Sequence, residues 1–153
     1  MKELTLYLDE TQKTKVIVKL KQVLTGKLRT EIVTHIKTDP ASIKTQERTK
    51  YIEDLIKDGE KLEGMTDIQL GIKLLQKGFK VEEDNEEEYQ RYLYKFAMIV
   101  IEKESINRIQ NQELKKKIES MLEDETNELW ELQDVETLES IVEFFRKKVN
   151  RAA

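Results

Sequence analysis

The first 20 residues carry apolar side chains at every second position, in two short runs. The runs are Leu4, Leu6 and Leu8, followed by Val16, Val18 and Leu20. A period of two is typical of strands with one buried face. The polar segment Asp9–Lys13 between the runs has the length of a hairpin loop. We therefore predict a β-hairpin over residues 1–20.

From residue 22 onward the apolar positions lie three or four apart, which predicts helices. The first stripe is formed by Val23, Leu24, Leu28, Ile32, Val33 and Ile36. Asp39-Pro40 ends this helix because a residue before proline is pushed out of helical geometry, and Ser42 can cap the next one. Thr66 or Asp67 caps a short helix that Gly78 ends.

The most apolar segment of the chain, from Tyr89 to Ile101, predicts the central core helix, with Asp84 or Asn85 as its cap. Two further helices are predicted at about residues 111–132 and 135–150. The fold class is therefore mainly α, with the N-terminal β-hairpin packed on a bundle of about five to six helices. We expect one domain over residues 1–153, with the hairpin at 1–20 and the helical part at 22–152.

Composition narrows the classes of function. Charged residues make up 38% of the chain, but the net charge is only −4 and both signs are interspersed, so nucleic-acid binding is not expected. Lys115, Lys116 and Lys117 are interpreted as a solvated helix face. No apolar run approaches the roughly 20 residues that span a bilayer, and residues 1–10 lack the pattern of a signal peptide. We expect a cytoplasmic protein without a membrane partner.

No residue set in the sequence predicts catalysis, a metal site or a cofactor. The absence of cysteine excludes disulfides, thiolate zinc sites and thiol catalysis. His35 is the only histidine, and no second histidine or nucleophile motif accompanies it. The acidic run at 82–88 lacks the ligand spacing and the central glycine of a calcium loop. The acidic residues at 123–128 lie on a predicted helix, where successive side chains point in different directions. The expectation is a non-enzymatic protein that binds another protein.

Two surfaces are predicted to bind the partner. A two-stranded hairpin leaves unpaired edges, which can accept a strand from another protein. The neighbouring lysines, Lys13, Lys15, Lys19 and Lys21, can equally serve to protect that edge, so both interpretations stay open. The second surface is the aromatic C-terminal helix. The partner-binding residues are predicted to be Leu4, Leu6, Val16, Val18, Phe144 and Phe145.

Two segments carry a resemblance to a known family. The chain opens with ELTLYLD and KTKVIVKL, followed by a turn into a helix at Thr25-Gly-Lys-Leu-Arg29, and ends with an aromatic pair after acidic residues in Val135–Phe145. In these patterns it resembles the tail assembly chaperones of tailed phages and prophages of Gram-positive bacteria. The resemblance implies a helper that binds the tape-measure protein and tail-tube subunits, inside a bacterial host.

Other partners are alternatives to that interpretation. A small acidic inhibitor or accessory protein would use residues 82–88 to imitate nucleic acid in the cleft of a nucleic-acid-binding enzyme. A nucleic-acid-binding helical module would use Arg108 and Lys115–Lys117. Assembly into a homo-oligomer is left open by the sequence.

Overall fold

The chain folds as a mainly α-helical protein that begins with a two-stranded antiparallel hairpin, as the periodicity predicts. The computed structural model describes residues 1–80 and 86–151. In chain order its elements are β1 (Glu3–Tyr7), β2 (Lys15–Lys19), α1 (Gly26–Ile36), α2 (Pro40–Lys57), α3 (Asp67–Gln76), α4 (Glu86–Val100), α5 (Lys103–Asn107), α6 (Gln112–Glu123), a 3₁₀ helix (Glu128–Leu132) and α7 (Val135–Arg151).

The hairpin is held by its turn as well as by its strands. β1 and β2 pair in a register that places Thr5 opposite Ile17. In the turn, the Asp9 carboxylate accepts hydrogen bonds from the backbone N–H groups of Lys13 and Thr14, at 3.0 and 2.9 Å. A hydrogen bond from the Thr14 side chain is the largest cause of the lowered pKa of Asp9, and these two backbone bonds, which also stabilise the charged form, lower it further. A short aspartate side chain thus closes the loop that the sequence predicted.

One contiguous core joins the hairpin to most of the helices. α4 packs against both α1 and α7, which makes it the central helix, as predicted. Its apolar side chains face two directions, because Tyr92 and Phe96 meet His35 on α1 while Tyr94 stacks on Trp130. The inner face of the hairpin completes this core with Leu4, Leu6, Leu8, Val18 and Leu20.

α2 and α3 form a second, smaller packing unit. Its buried residues are Leu55, Leu74 and Phe79, with Tyr51, Ile52, Leu62 and Leu70 partly buried around them. α3 begins at a capping box in which Thr66 and Gln69 exchange hydrogen bonds. It is followed by Gly78, whose φ of 98° is a conformation that favours glycine. Both ends of α3 are therefore fixed locally.

Two predicted details of the helix boundaries are corrected. Asp39, not Ser42, caps α2, because its side chain accepts from Ala41 N–H and Pro40 occupies the first helical position, where no N–H is needed. The first helix starts at Gly26 behind the Thr25 cap, so Val23 and Leu24 precede it. The predicted caps Asp84 and Asn85 lie outside the described residues, as does residue 152.

The predicted helix 111–132 is in fact two elements, and a tryptophan accounts for the break. The Trp130 indole N–H donates to the Met121 carbonyl at 2.8 Å and lies 3.2 Å from the Asp124 carbonyl. Both carbonyls lie at the C-terminal end of α6, where they also accept hydrogen bonds from the N–H groups of Asp124 and Asn127. The chain can therefore leave the helix at Asp124 and bring Trp130 into the core, where it is fully buried.

Candidate functional site

The apolar residues of the hairpin that were predicted to bind a partner lie mostly inside this chain. Leu4, Leu6 and Val18 are buried in the main core, and Val16 is partly buried against it. Their side chains therefore contact the helices of the same molecule. A partner that approached the hairpin would meet its strand edges and its outer face instead.

The outer edge of each strand is covered at one end. Leu8 N–H donates to the Thr14 carbonyl, so the even-numbered residues of β1 point their backbone groups at β2 and the odd-numbered ones point outward. The outward groups of Tyr7 are occupied by one side chain: Tyr7 N–H donates to Gln133 Oε1 at 2.9 Å, and Gln133 Nε2 donates to the Tyr7 carbonyl at 2.8 Å.

The edge of β2 is covered by the connection between α4 and α5. Lys19 N–H donates to Ser105 Oγ at 3.2 Å, and the Lys19 carbonyl accepts from Glu102 N–H at 2.8 Å. The other two outward-facing residues of each strand remain uncovered. They are Glu3 and Thr5 on β1, and Lys15 and Ile17 on β2. This is a short platform for an added strand, because strands are usually five or six residues long.

The aromatic pair on α7 is divided between the core and the surface. Phe145 is fully buried, and its ring centroid lies 6.3 Å from that of Phe96. Phe144 is half-buried and lies beneath the Lys148 ammonium group, which is 5.9 Å from its ring centroid. Lys148 also donates to the Gln22 carbonyl at 2.6 Å. This part of α7 therefore holds the segment that leads into α1.

An open groove of about 1020 Å³ lies beside that segment. Its walls come from the β2–α1 connection, from α1, from the last turns of α4, from α5 with the residue before it, and from α6. The apolar lining is formed by Val23, Leu28, Met98, Ile99 and Leu122. Val23 is 73% exposed and stands before the first turn of α1. Grooves of this size with an apolar lining are common binding sites.

Charges of both signs surround the apolar lining of the groove. The charged lining residues are Lys21, Lys27, Lys95 and Lys103, together with Glu31, Glu102 and Glu104. Lys95 also pairs with Glu125 at 3.3 Å. This near balance offers several positions for ion pairs at the edge of a bound segment, where solvent-exposed pairs guide orientation more than they add affinity.

His35 forms part of the groove wall, but its ring is already engaged. Its Nε2 atom lies 2.8 Å from the Tyr92 carbonyl, and it must carry the proton because a carbonyl only accepts. The ring also stacks on Tyr92 at 4.7 Å. The pKa of His35 lies below its usual value. Burial is the largest cause and the charge of Lys95 adds to it, whereas the hydrogen bond to Tyr92 acts in the opposite direction. The neutral ring thus braces α1 against α4.

The described residues of the acidic and basic runs do not line the groove. Residues 82–85 are outside the described residues, whereas Glu86, Glu87 and Glu88 form the exposed first turn of α4. Lys115 on α6 lies 3.9 Å from Glu119. In the described ranges 1–80 and 86–151, no three acidic or histidine side chains are grouped closely enough to hold a metal ion.

Three of the exposed large apolar side chains lie elsewhere, on α3. Ile68, Ile72 and Leu75 are 77%, 51% and 55% exposed. The sequence predicts a short helix here but does not identify which of its apolar residues remain outside the core. Their spacing distinguishes the two groups, because Ile68, Ile72 and Leu75 share one face of the helix while Leu70 and Leu74 share another.

Among the helices that the structure describes, none combines the length and apolar character needed to cross a bilayer. Comparison with protein-family models, with curated proteins and with solved structures returned no match for the chain.

Proposed function

We propose that this protein is a non-enzymatic protein-binding factor whose client places an apolar helix in the groove between α1 and α4. The observation that carries the proposal is the groove itself, an open surface on which apolar residues lie among charged residues of both signs. Amphipathic helices bind other proteins by laying their apolar face into such a groove.

The dimensions of the groove suit a helical client. A helix of about 10 Å diameter and 5.4 Å pitch occupies roughly 420 Å³ per turn. The groove, at about 1020 Å³, therefore has room for about two turns of such a helix. A client with apolar residues at positions i, i+3 or i+4, and i+7 would present them all to the lining.

The more specific proposal is that the client is a phage tape-measure protein and that this protein is a tail assembly chaperone, which also recruits tail-tube subunits. The support comes from the position of the segment that carries the resemblance. Thr25, whose side chain caps α1 by accepting from Leu28 N–H at 3.1 Å, lies in the groove wall together with Lys27 and Leu28. The family-like turn thus forms one side of the proposed binding site.

The alternative function, an acidic inhibitor or accessory protein of a nucleic-acid-binding enzyme, is favoured by one observation. Glu86, Glu87 and Glu88 are exposed together at the start of α4. Reversal of these three charges would abolish inhibition of such an enzyme, and it would leave binding of a helical client in the distant groove unchanged.

Co-expression tests the chaperone proposal directly. A tape-measure protein encoded in the same genome should be insoluble alone and soluble with this chain. Val23→Asp places a charge among the apolar groove residues and should abolish the rescue. Ile17→Asp, at a position of similar exposure, 59%, on the outer face of β2, is the matched control and should rescue as the natural sequence does.

Two outcomes would overturn the proposal. One is a tape-measure protein that stays insoluble with the natural sequence. The other is equal rescue by Val23→Asp and the natural sequence, which would remove the groove from the binding site. Loss of rescue in Ile17→Asp alone would indicate that the client binds at the hairpin, as the sequence predicted.

A further inference from the structure

The outer edge of β2 carries a concentration of positive charge. Lys13, Lys15 and Lys19 lie on the strand or just before it, and all three are exposed. Within residues 1–80 and 86–151, no carboxylate lies close enough to these three ammonium groups to form an ion pair. Like charges that lack partners attract a surface of the opposite sign.

The same strand presents an apolar side chain between two of these charges. Successive side chains of a strand point to opposite faces, so Lys15, Ile17 and Lys19 lie on the outer face, while Val16 and Val18 face the core. Ile17 is 59% exposed. The outer face of β2 therefore offers a cation, an apolar group and a second cation at every second position.

The backbone beside Ile17 is open to a further strand. The N–H and carbonyl groups of Lys15 and Ile17 point away from β1, whereas those of Lys19 are occupied by Ser105 and Glu102. An added strand must therefore end at Ile17. Since only two residues offer backbone bonds, the side chains of the added strand must supply much of its affinity and its specificity.

The lysines determine which strand can bind at this edge. A second β2 would bring the lysines of two copies together, and like charges on neighbouring strands are unfavourable. The edge is therefore protected against pairing with another copy of this chain. A strand with carboxylates at alternate positions would instead meet charges of the opposite sign. Protection and binding are thus compatible, because the same charges exclude one partner and favour another.

We propose that the β2 edge binds an acidic, extended segment of another protein by strand addition. The segment pairs antiparallel with β2 and places an apolar side chain opposite Ile17 and carboxylates beside Lys15 and Lys13. The open peptide groups and Ile17 favour this partner over a nucleic acid or an anionic membrane, which would engage the lysines alone. None of these three residues lines the groove, so the inference does not depend on the helical client proposed for the groove.

A short synthetic peptide tests the proposal. Its threonines alternate with one valine followed by two glutamates, and both of its ends are blocked, so antiparallel pairing puts the valine opposite Ile17 and the glutamates towards Lys15 and Lys13. In an NMR titration of the isotope-labelled full chain, the amide signals of Lys15 and Ile17 should shift. Binding should weaken severalfold between about 50 and about 300 mM salt, because salt screens exposed charges.

Substitutions separate the charge at this edge from the net charge of the chain. Lys15→Glu should weaken peptide binding by about fivefold or more, whereas Lys15→Arg retains the charge and should bind as the natural sequence does. Lys116→Glu is the matched control, since it makes the same change of charge at an exposed position on α6, and it should also bind normally. Circular dichroism checks that each variant keeps its helices.

A modified peptide separates strand addition from attraction between charges. N-methyl groups on its valine and on its first glutamate remove the backbone donors that would face Ile17 and Lys15. This peptide keeps its charge and its side chains, but it should not bind.

Three results would overturn the inference. One is a titration in which millimolar peptide shifts neither the Lys15 nor the Ile17 amide signal. Another is equal binding of the N-methylated peptide, which would show that the contact does not involve an added strand. The third is tighter binding of an oligothymidine or of phosphatidylserine vesicles at the same amides, which would assign the lysines to a phosphate-bearing partner.

Discussion

The two packing units of this protein use their apolar residues differently. In what we call the body (the hairpin, α1 and α4–α7), large side chains such as Phe96, Trp130 and Phe145 are fully buried in one core. In the arm (residues 40–80), the buried set is limited to Leu55, Leu74 and Phe79. The exposed large hydrophobic residues of the arm are Ile43, Ile56, Ile68, Ile72 and Leu75.

The two units therefore differ in what stabilises them and in how much apolar surface they leave exposed. The body gains its stability from burial, which grows with the apolar area removed from water. The arm relies more on local devices, namely the Thr66 capping box, the Gly78 cap and the ion pairs of Lys73 and Lys77. Apolar side chains that are not needed for its own core remain outside, where a second molecule can cover them.

The largest effect is expected from truncation in the body. Phe96→Ala removes a fully buried ring that contacts His35, Tyr92 and Phe145. It should lower the free energy of unfolding by about 3–5 kcal/mol, measured by denaturant titration. A loss below about 1 kcal/mol would contradict a single close-packed core.

The same truncation in the arm should have a smaller and local effect. Phe79→Ala removes a ring that packs edge-on against Tyr51, 5.4 Å between centroids. We expect it to speed hydrogen exchange in residues 40–80 by roughly thirtyfold, equivalent to about 2 kcal/mol. Exchange in α4 and α7 should be unchanged. Equal acceleration in both units would show that the arm and the body unfold together.

A third substitution tests how the body closes the β1 edge. Gln133→Leu keeps the size of the side chain but removes its hydrogen bonds to Tyr7 and to the Leu129 carbonyl. The cost should be about 1–2 kcal/mol, because the backbone groups of Tyr7 lose their partner. Thermal unfolding measures it, and Gln133→Glu should lose at least as much, because it places a buried carboxylate against the Tyr7 and Leu129 carbonyls to which the amide donates. An unchanged midpoint for Gln133→Leu would contradict the role of Gln133.

The smallest effect is a dependence of stability on pH. His35 has a pKa below its usual 6.5 in the folded chain, so the unfolded chain binds its proton more readily. Its contribution is complete above pH 6.5 and is lost as the pH falls through 6.5 towards the folded pKa. Denaturant titrations at pH 7.5 and 5.5 should show this loss in the natural sequence and not in His35→Gln. The same loss of stability in both proteins would show that a group other than His35 is responsible.

The sequence predicted those parts of the fold that are encoded by neighbouring residues. The alternation of Leu4, Leu6 and Leu8 predicted the hairpin, and Thr66 and Gly78 predicted both ends of α3. It could not predict contacts between distant residues. The break after α6 depends on the Trp130 indole, and the closed edge of β1 depends on Gln133, 126 positions away from Tyr7.

The binding surfaces show the same limit. A period-two pattern identifies the side chains that turn inward, so the hairpin was predicted to pack on the helices. Leu4, Leu6 and Val18, which were also predicted to bind a partner, are buried in that core. The groove could not be predicted because its walls come from five separate segments of the chain. Only tertiary packing brings Val23, Ile99 and Leu122 to one surface.

Hydrogen exchange of the full chain with and without a bound tape-measure protein tests the proposed function most directly. If the client helix lies in the groove, exchange should slow at residues 21–35 and 95–104, whereas the outer face of the hairpin should exchange as in the free chain. Slower exchange confined to the hairpin strands or to α3, or no slowing in any segment, would contradict binding in the groove.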